Sequence, residues 1–561
     1  MKKLILVRPE ESGAAFEELC KDLESAIAER AEWTFEVKIG RAGGCATCTK
    51  AAQLASGNTV AYLWTDGAVA VAAQSDLLLR LGVQRLLSGV QAEQEAGETL
   101  WDATAYVRDG WLQNFPAYTD GELDPILYSD GTGQYEDEVC GDIHVVRNTT
   151  REAFDAYVAG MVALGYRLTF ENTIDGNRYA NLFDVLDNNV YVYYMTEVAN
   201  GKTGVVRTVC DRSSVTMEQF SYTCEGAAHS TFYLFNHNSS GENTYLIHAA
   251  DNSWIFIDGG VAGWRGSDPE AKFSDWLFRF MCEKSGVAEG EKLVISSWYL
   301  THAHRDHFLA FQFLLEKHHD RIDLQRIIAN VPDLQIADHN TNMRDFRPCR
   351  EAINRYYPKL DYLKVHPGMK FQLADVTFEV LIAQENLVDF WTSNREVFYS
   401  KWIHWHDIPK DDPDQPNCRH GYKKYDINNS SIVSKITVNG MTVLEFGDAF
   451  RAGDWVLPYY TLPTMTCDVV VTAHHFINDE LMPFYRDYIA QGTPVYMLVN
   501  NINYAYPGEK GAWKDSFRED KGQHLVTARY DTVFGFRKVN GKVEMTEDEA
   551  LYSFGGEIDK L

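Results

Sequence analysis

The first part of the chain alternates apolar runs typical of strands with segments of helical periodicity. Residues 4–7 (LILV) and 34–39 (TFEVKI) read as strands, and residues 14–30 between them as an amphipathic helix. Two further apolar runs flank Thr65-Asp66-Gly67, and an Asp-Gly pair in that position predicts a hairpin. A helix over residues 75–87 follows. We therefore expect a small α/β accessory domain over residues 1–115.

The next stretch changes in composition and then in periodicity. Residues 120–141 are rich in Gly, Asp and Glu, so we place a linker at residues 116–147. Beyond it, a helical pattern (EAFDAYVAGMVALGY) precedes three alternating runs, RLTFEN, ANLFDVLD and NVYVYYMTEV, with GVVRTVCD as a candidate fourth strand. This predicts a second accessory domain, a small α+β unit over residues 148–222.

The rest of the chain, residues 230–561, reads as one α/β domain made of two halves. In the first half the strand patterns STFYLFN, NTYLIHAA and SWIFIDGG lead to a helix (FSDWLFRFMCEKSG), a buried strand (VISSWYL) and another helix (FLAFQFLLEKHH). In the second half the strand patterns FQLADVTFEVLIA, SSIVSKITVNGMTVLEFGDA and CDVVVTAHH surround a helix predicted near residues 451–459. Strands followed by helices, twice over, predict a sandwich of two mixed sheets covered by helices.

A dense polar cluster directly follows the buried strand of the first half. His302, His304, Asp306 and His307 lie within six residues, where a loop can direct all four side chains into one cavity. Imidazole nitrogens and carboxylate oxygens are the ligands of catalytic divalent metal sites. The alternative is a hydrogen-bonded loop with chance histidines, and a total of 17 histidines in 561 residues argues against it. The cluster therefore predicts a metal site.

HAHRDH resembles the His-x-His-x-Asp-His signature of the metallo-β-lactamase superfamily. Three other landmarks, on either side of it along the chain, occur in the family's order. The runs around NTYLI and IDGG resemble the opening strands, where Asp258 would brace the metal loop. LEFGDA places Asp448 where the family has its metal-bridging carboxylate, and VVVTAHH places His474 and His475 where the last His ligand is expected. The resemblance covers roughly residues 230–510 and implies an αββα sandwich behind the two accessory domains.

The resemblance also implies two neighbouring metal sites that share Asp448. His302 and His304 would form the first, and Asp306 and His307 the second, together with one histidine of the pair His474 and His475. We favour His474 as that ligand, because it follows its strand by a single small residue. The ions are expected to be zinc, with manganese or iron as alternatives, at one or two per chain.

One position departs from the common family pattern. Many members complete the first site with a histidine upstream of the bridging Asp, but position 429 here is Asn (448 − 429 = 19). The Asn-Asn-Ser sequence around it resembles the subgroup of competence-type DNA-uptake proteins and phosphorylcholine esterases. Because an amide oxygen is a poorer donor than imidazole to zinc-like ions, we expect the first site to bind its metal weakly.

The implied activity is hydrolysis by a metal-activated water, which Asp306 would help to orient. We expect a small ester substrate, with phosphodiesters favoured by the Asn-Asn-Ser resemblance. A lactone, thioester or amide substrate, and a metal-binding module without catalysis, remain the alternatives. His404 and His406 lie in a long irregular segment that could form a lid and donate a proton, and a packed surface loop explains that segment equally well.

Charge and cysteine usage narrow the partners and the compartment. With 52 basic and 80 acidic side chains the formal charge is −28, which disfavours nucleic acid and favours a small-molecule partner. The N-terminal apolar run ends at Arg8 and Pro9, and no window approaches the ~20 apolar residues of a membrane span. Ten scattered cysteines fit a reducing compartment, so we expect a cytoplasmic protein. A homo-oligomer is left open.

A Cys-x-x-Cys sequence, Cys45 to Cys48, also occurs in the first predicted domain. Such spacing is typical of redox and zinc sites. A zinc site would need a second pair of ligands, and the chain has no second Cys-x-x-Cys. A redox site would need a thioredoxin-like context, to which the order of elements here corresponds only loosely. We therefore interpret these two cysteines as incidental members of a Gly-rich turn.

Overall fold

The computed structural model of the chain describes residues 2–8, 14–30, 32–91, 93–111, 115–124, 128–129, 141–196, 204–211, 216–224, 230–235, 244–260, 272–330, 346–383, 385–386, 427–449, 459–476, 495–499, 523–527 and 533–548. The chain divides into two compact units. The first lies within Met1–Asp130, Val139–Thr196 and Gly201–Ser214, and Val215–Leu561 belongs to the second. Across the described ranges, no helix is both long and apolar enough to cross a membrane.

The first unit begins with a five-stranded mixed sheet. Its elements are β1 (Lys2–Arg8), α1 (Ala14–Glu29), β2 (Phe35–Arg41), α2 (Ala46–Leu54), β3 (Thr59–Thr65), β4 (Ala68–Ala72), α3 (Asp76–Leu87) and β5 (Gly97–Asp102). The strand order is β2-β1-β4-β3-β5, with β1 parallel to both of its neighbours. The predicted hairpin is confirmed, since Thr65 pairs with Ala68 and Gly67 takes the left-handed φ of 81° that the turn requires.

The Cys-x-x-Cys sequence lies where the loop after β2 enters α2. Cys45 is the N-cap residue of α2, and it is bonded to Cys48, with 5.2 Å between the two Cα atoms. The interpretation of these cysteines as incidental was therefore wrong. Spacing along the chain could not show that the two sulfurs meet at the start of a helix.

A seven-stranded antiparallel sheet completes the first unit. Its elements are β6 (Glu122–Leu123), β7 (Tyr128–Ser129), β8 (Gly141–Thr149), α4 (Arg151–Ala163), β9 (Arg167–Ile174), β10 (Asn177–Phe183), β11 (Asn189–Met195) and β12 (Gly204–Asp211). The predicted helix and four strands are present. The segment 116–147, expected to be a linker, contains β6, β7 and most of β8. These strands were not predicted, because the acidic, Gly-rich composition of the segment outweighed the apolar pattern of the buried Ile143 and Val145.

The two segments predicted as separate accessory domains share a hydrophobic core. Leu77 and Leu81 of α3 belong to the same buried cluster as Phe154 and Met161 of α4. Their packing places residues from both predicted segments in one compact unit. The individual domain boundaries remain predictions.

The second unit contains two mixed sheets. The strands are β13 (Thr231–Phe235), β14 (Thr244–His248), β15 (Trp254–Asp258), β16 (Leu293–Leu300), β17 (Ile322–Leu324), β18 (Arg326–Ala329), β19 (Asp361–Lys364), β20 (Lys370–Leu373), β21 (Val376–Ile382), β22 (Val433–Val438), β23 (Met441–Glu445), β24 (Val469–Val471), β25 (Val495–Val499), β26 (Gln523–Thr527), β27 (Val533–Val539) and β28 (Lys542–Asp548). One sheet has the order β19-β18-β16-β15-β14-β13-β27-β28 with β17 beside β16, and the other runs from β20 to β26 in sequence order. This agrees with the predicted mixed α/β architecture.

Helices and loop contacts join these sheets. The helices are α5 (Met217–Phe220), α6 (Lys272–Ser285), α7 (Arg305–His318), α8 (Phe346–Tyr356) and α9 (Leu462–Met465), with short 3-10 turns at Ile427–Ser430 and Ala473–Phe476. Phe311 of α7 packs on Phe256 and Trp298 of the first sheet. Between the sheets, the hydroxyl groups of Tyr299 and Ser434 are hydrogen-bonded. The helix predicted near residues 451–459 lies almost entirely outside the described residues.

An aromatic cluster between α6 and the first sheet forms part of the core of the second unit. The Phe280 ring is fully buried and meets the rings of Tyr233, Phe235 and Trp254 with centroid distances of 5.4, 5.1 and 5.9 Å. These rings pack edge-on or tilted, which is the favoured geometry for aromatic pairs. Phe280 therefore attaches α6 to β13 and β15.

Phe280→Ala is expected to destabilise the second unit by about 3–5 kcal/mol, the usual cost of truncating a buried Phe. The measurement is the denaturant midpoint of that unit in the full chain. Met545→Ala on β28 is the matched control, because Met545 is 41% exposed and should change stability by less than about 0.5 kcal/mol. Equal midpoints for the two variants would contradict this account of the core.

Candidate metal centre

The centre is built on the carboxyl ends of two adjacent parallel strands. β15 ends at Asp258 and β16 runs into Thr301, so both residues lie at the same edge of the sheet. The Asp258 carboxylate accepts hydrogen bonds from the backbone N–H of Thr301 at 2.8 Å and from its hydroxyl at 2.9 Å. It also contacts Nδ1 of His307 at 2.6 Å. Asp258 thereby holds the loop between β16 and α7, as the resemblance implied.

The three histidines of the HAHRDH sequence converge within this loop and the first turn of α7. His304 is the N-cap residue of α7, and His307 lies in its first turn. The ring centroids of His302 and His307 are 4.1 Å apart, and those of His302 and His304 are 4.8 Å apart. His302 and His307 are fully buried and His304 is 6% exposed. The loop after β16 and the start of α7 thus bring these three imidazoles together.

Asp448 reaches the centre from the second sheet, in the loop after β23. Its backbone N–H donates to the hydroxyl of Ser431 at 3.0 Å. The preceding Gly447 has a φ of 51°, and a Cβ at that position would lie 2.8 Å from the side chain of Thr301. Only glycine therefore lets the two loops approach so closely. As a result the Asp448 carboxylate comes within 3.1 Å of Nε2 of His307 and 3.7 Å of Nε2 of His302.

The last two histidines adopt an unusual backbone conformation. His474 and His475 both lie in the left-handed region, with φ of 49° and 50°. Such conformations cost of order 1–3 kcal/mol per residue and cluster at functional sites. The consequence is that the two rings point to different parts of the centre. His475 lies 3.0 Å from Asp306, whereas His474 lies 3.1 Å from the side-chain amide of Asn428.

The donor atoms form two groups that share one residue. One group is made of Asp306, His307, Asp448 and His475. The other, which corresponds to the first predicted site, is made of His302, His304 and Asp448. Within each group the donor atoms all lie within 4.8 Å of one another. Mixed imidazole and carboxylate donors in this number fit a divalent ion such as zinc, manganese or iron. Asp448 occupies the shared position that the resemblance assigns to it.

The arrangement favours His475 over His474 as the histidine of the four-residue group. Nε2 of His475 lies 3.6 Å from Asp448, and the ring is 2% exposed. His474 lies 3.9 Å from Asp448, is 20% exposed and belongs to neither group. The preference for His474 rested only on its position one small residue after the strand. The two left-handed residues instead turn the second ring inward.

An amide occupies the neighbourhood of the first predicted site. Oδ1 of Asn428 lies 3.2 Å from Nε2 of His302, and Asn428 is 4% exposed. Spacing had pointed to position 429, but the 3-10 turn Ile427–Ser430 brings Asn428 to His302. Ser431 was also missed as a site residue. The Asn-Asn-Ser sequence of residues 428–430 signalled Asn428, although it could not say which amide faces the centre, and Ser431 is the residue directly after it.

The charges of the centre depend on one another. Burial and the charge of His307 lower the pKa of His302 well below its usual range, so His302 is a neutral imidazole. Burial would also lower the pKa of His307, but Asp448 and Asp258 raise it well above its usual range. In the protein without metal, a proton on His307 is thus held between two carboxylates. Protons and a divalent ion compete for this position, because a ligand imidazole must be deprotonated.

The other two predicted site residues, His404 and His406, lie outside the described residues. Their predicted part in a lid stays a prediction from the sequence. The described members of the centre differ in exposure. The Asp306 side chain is 35% exposed and His474 is 20% exposed, while Asp448 is 1% exposed.

No protein-family model matches the chain, and no curated protein matches it in sequence. Several solved structures match at low similarity. A metallo-β-lactamase fold protein, YhfI from Bacillus subtilis, is 11% identical, with 55% of this chain and 100% of that chain covered and a TM-score of 0.29. Unliganded yeast PDE1 is 10% identical, with 54% and 98% covered and a TM-score of 0.30. CmlA, a diiron β-hydroxylase from Streptomyces venezuelae, is 11% identical, with 70% and 79% covered and a TM-score of 0.27.

TM-scores of this size support no conclusion about this chain. The centre is defined by its own side chains. They are two adjoining groups of metal-type donors, built on buried loops from both sheets of the second unit.

Asp258→Asn is expected to weaken divalent metal affinity by roughly 10–100-fold, the usual effect of changing a residue that orients a metal ligand. The amide keeps the shape of the carboxylate but removes the charge that holds His307. Competition with a chromogenic chelator would measure the affinity. Asp275→Asn is the control, because Asp275 pairs with Lys317 and His318 on the surface. Unchanged affinity in Asp258→Asn would show that the ligands need no such brace.

Proposed function

We propose that the second unit is a metallo-β-lactamase-type, metal-dependent hydrolase that acts on a small ester, with phosphodiesters as the favoured class. The observation that carries this proposal is the shared position of Asp448 between the two donor groups. A carboxylate that serves two adjoining groups is suited to holding two ions side by side, the arrangement used in hydrolytic two-metal sites. A purely structural zinc site would instead be closed around one ion.

The residues present fit such ions in chemistry and in number. Asp306, His307, Asp448 and His475 would hold one ion, and His302, His304 and Asp448 the other. A bound divalent ion supplies Lewis acidity, which lowers the pKa of a coordinated water to roughly 7 and polarises the ester oxygen. The protein's part is to position and orient the ligands. Asp258 fixes the ring of His307, and Ser431 fixes the backbone of Asp448.

The side of the centre that opens to solvent also has a defined composition. Asp306 and His474 are the most exposed members of the cluster, so substrate and water would approach beside them. Asp306 would use one carboxylate oxygen as a ligand, which leaves the other oxygen to orient an attacking water. The hydrogen bond between Asn428 and His474 keeps that imidazole facing the opening.

Sequence and charge both bear on the substrate class. The Asn-Asn-Ser sequence supports a phosphodiester, through its resemblance to phosphodiester-hydrolysing members of the superfamily. A net charge of −28 opposes a polyanionic substrate, so a small ester is favoured over nucleic acid. Lactone, thioester and amide hydrolysis, and metal binding without catalysis, are the competing outcomes of the assay below.

The purified protein is expected to carry one to two divalent ions per chain and to hydrolyse a chromogenic phosphodiester. Asp448→Ala should lose most of the metal and at least about 1,000-fold in activity, because Lewis-acid catalysis contributes several kcal/mol. Metal analysis and a panel of phosphodiester, phosphomonoester, lactone and β-lactam substrates measure both.

Asp361→Ala is the control for this experiment, since Asp361 is an exposed acid at the start of β19. Metal below about a tenth of an equivalent after gentle purification would refute the metal centre, since such sites hold metal tightly. Tightly bound metal without hydrolysis of any substrate would instead favour a binding module.

The two ions are expected to differ in affinity, because the His302 group has Asn428 beside it where an imidazole would bind more strongly. Calorimetric titration of metal into stripped protein should show one tight and one weak event. Asn428→His should tighten the weak event by at least about tenfold, since it replaces an amide donor with an imidazole.

The two consecutive histidines provide the matched pair of variants. His475→Ala should abolish the tight event, whereas His474→Ala should leave it in place and affect only the weak one. Two equally tight events in the unmodified protein would overturn the idea of an incomplete site. The reverse ranking of the histidine variants would identify His474 as the ligand.

A further inference from the structure

The Cys-x-x-Cys sequence of the first unit lies at the N-terminus of α2. Cys45 is the N-cap residue of α2, and its sulfur accepts a hydrogen bond from the backbone N–H of Cys48 at 3.1 Å. Thr49 closes the turn, since its hydroxyl donates to the carbonyl of Cys45 at 2.9 Å and accepts from the N–H of Gly43 at 3.0 Å. The loop is thus held so that both sulfurs lie at the start of the helix.

The two cysteines differ sharply in their surroundings. Cys45 is exposed, while Cys48 is 5% exposed and belongs to the buried cluster that includes Val7, Ala51 and Ala72. Gly40 on β2 makes room for it, because a Cβ there would lie 3.2 Å from the Cys48 sulfur and within 3 Å of the side chains beneath. An attacking molecule can therefore reach one sulfur and not the other.

The backbone at the start of α2 favours a negative charge on sulfur. Free N–H groups and the helix dipole stabilise anions at a helix N-terminus, and cysteines in Cys-x-x-Cys sequences there have lowered pKa values. Cys20 in the same unit provides the contrast. Burial, with Glu24, Glu17 and Asp76, raises the pKa of Cys20 to about 11, so that thiol is inert near neutral pH.

We propose that Cys45 and Cys48 form a thiol–disulfide exchange site that reacts with small, accessible disulfides of the glutathione class. The exposed sulfur is the attacking group and the buried sulfur resolves the mixed disulfide. This activity belongs to the first unit and is independent of the hydrolase proposed for the second. An exchange site also accounts for the difference in burial between Cys45 and Cys48, which a purely structural disulfide does not require.

The exchange proceeds in two steps. The Cys45 thiolate attacks one sulfur of glutathione disulfide, whose S–S bond breaks and releases one glutathione thiolate, which takes up a proton. The Cys48 thiol loses its proton and attacks the Cys45 sulfur, releasing the second glutathione. Two electrons and two protons pass from the cysteine pair to glutathione disulfide, which yields two glutathione thiols. The reverse sequence reduces the pair.

The test uses the full chain, reduced and then mixed with glutathione disulfide, and follows its mass with time. The unmodified protein should form the Cys45–Cys48 disulfide without a lasting adduct. Cys48→Ser should accumulate one glutathione on Cys45, because the resolving sulfur is missing. Cys45→Ser should react as slowly at position 48 as the buried Cys20 does.

A second measurement needs no variant. Peptide-resolved alkylation of the reduced protein against pH should give a lower midpoint for Cys45 than for an ordinary exposed thiol. Cys20, mapped in the same samples, is the internal control. Three results would overturn the proposal: an ordinary midpoint for Cys45, no adduct in Cys48→Ser, or a pair that excess dithiothreitol reduces only when the protein unfolds.

Discussion

The candidate metal centre depends first on the carboxylate of Asp258. It is buried at the end of β15 and holds the backbone of Thr301 on one side and the ring of His307 on the other. A buried carboxylate is costly unless it is hydrogen-bonded, and here each oxygen finds partners in the loop that carries the donors. If the loop moved, the buried charge of Asp258 would lose its hydrogen-bond partners. The Asp258 carboxylate therefore fixes the positions of the histidines before any ion is bound.

The second constraint is the meeting of the two sheets. Asp448 approaches His307 only because Gly447 lets its loop pass against Thr301, and the carbonyl of Thr301 in turn accepts the N–H of Ile432 at 3.0 Å. The donors thus come from loops that belong to different sheets. Damage to the packing between the sheets should move Asp448 relative to the histidines without changing any donor. The stability of the second unit and the geometry of the centre are coupled in this way.

Much of this arrangement could be predicted from the sequence. Each feature that was missed has an identifiable physical cause. The strand patterns and the density of His and Asp after VISSWYL are local signals, so the β16 loop and its donors were predicted together. Choosing between His474 and His475 required two left-handed backbone conformations, which residue spacing does not encode. Choosing Asn428 required the 3-10 turn that orients it. The bonded cysteines were misread because exposure is a tertiary property, and Cys45 and Cys48 differ mainly in that respect.

The order of strands in the larger sheet of the second unit has a consequence for how the unit is made. β13 pairs with β27, so that Phe232 lies opposite Phe536, and β28 forms the edge beyond. Strand pairing between residues so distant in sequence requires closing a very long loop, which slows folding. During synthesis, one side of β13 has no strand partner until β27, residues 533–539, has emerged from the ribosome. In that interval the apolar strand TFYLF is an open edge of the kind that recruits other chains. Nascent and C-terminally truncated forms of this protein should therefore depend on chaperones more than the finished chain does.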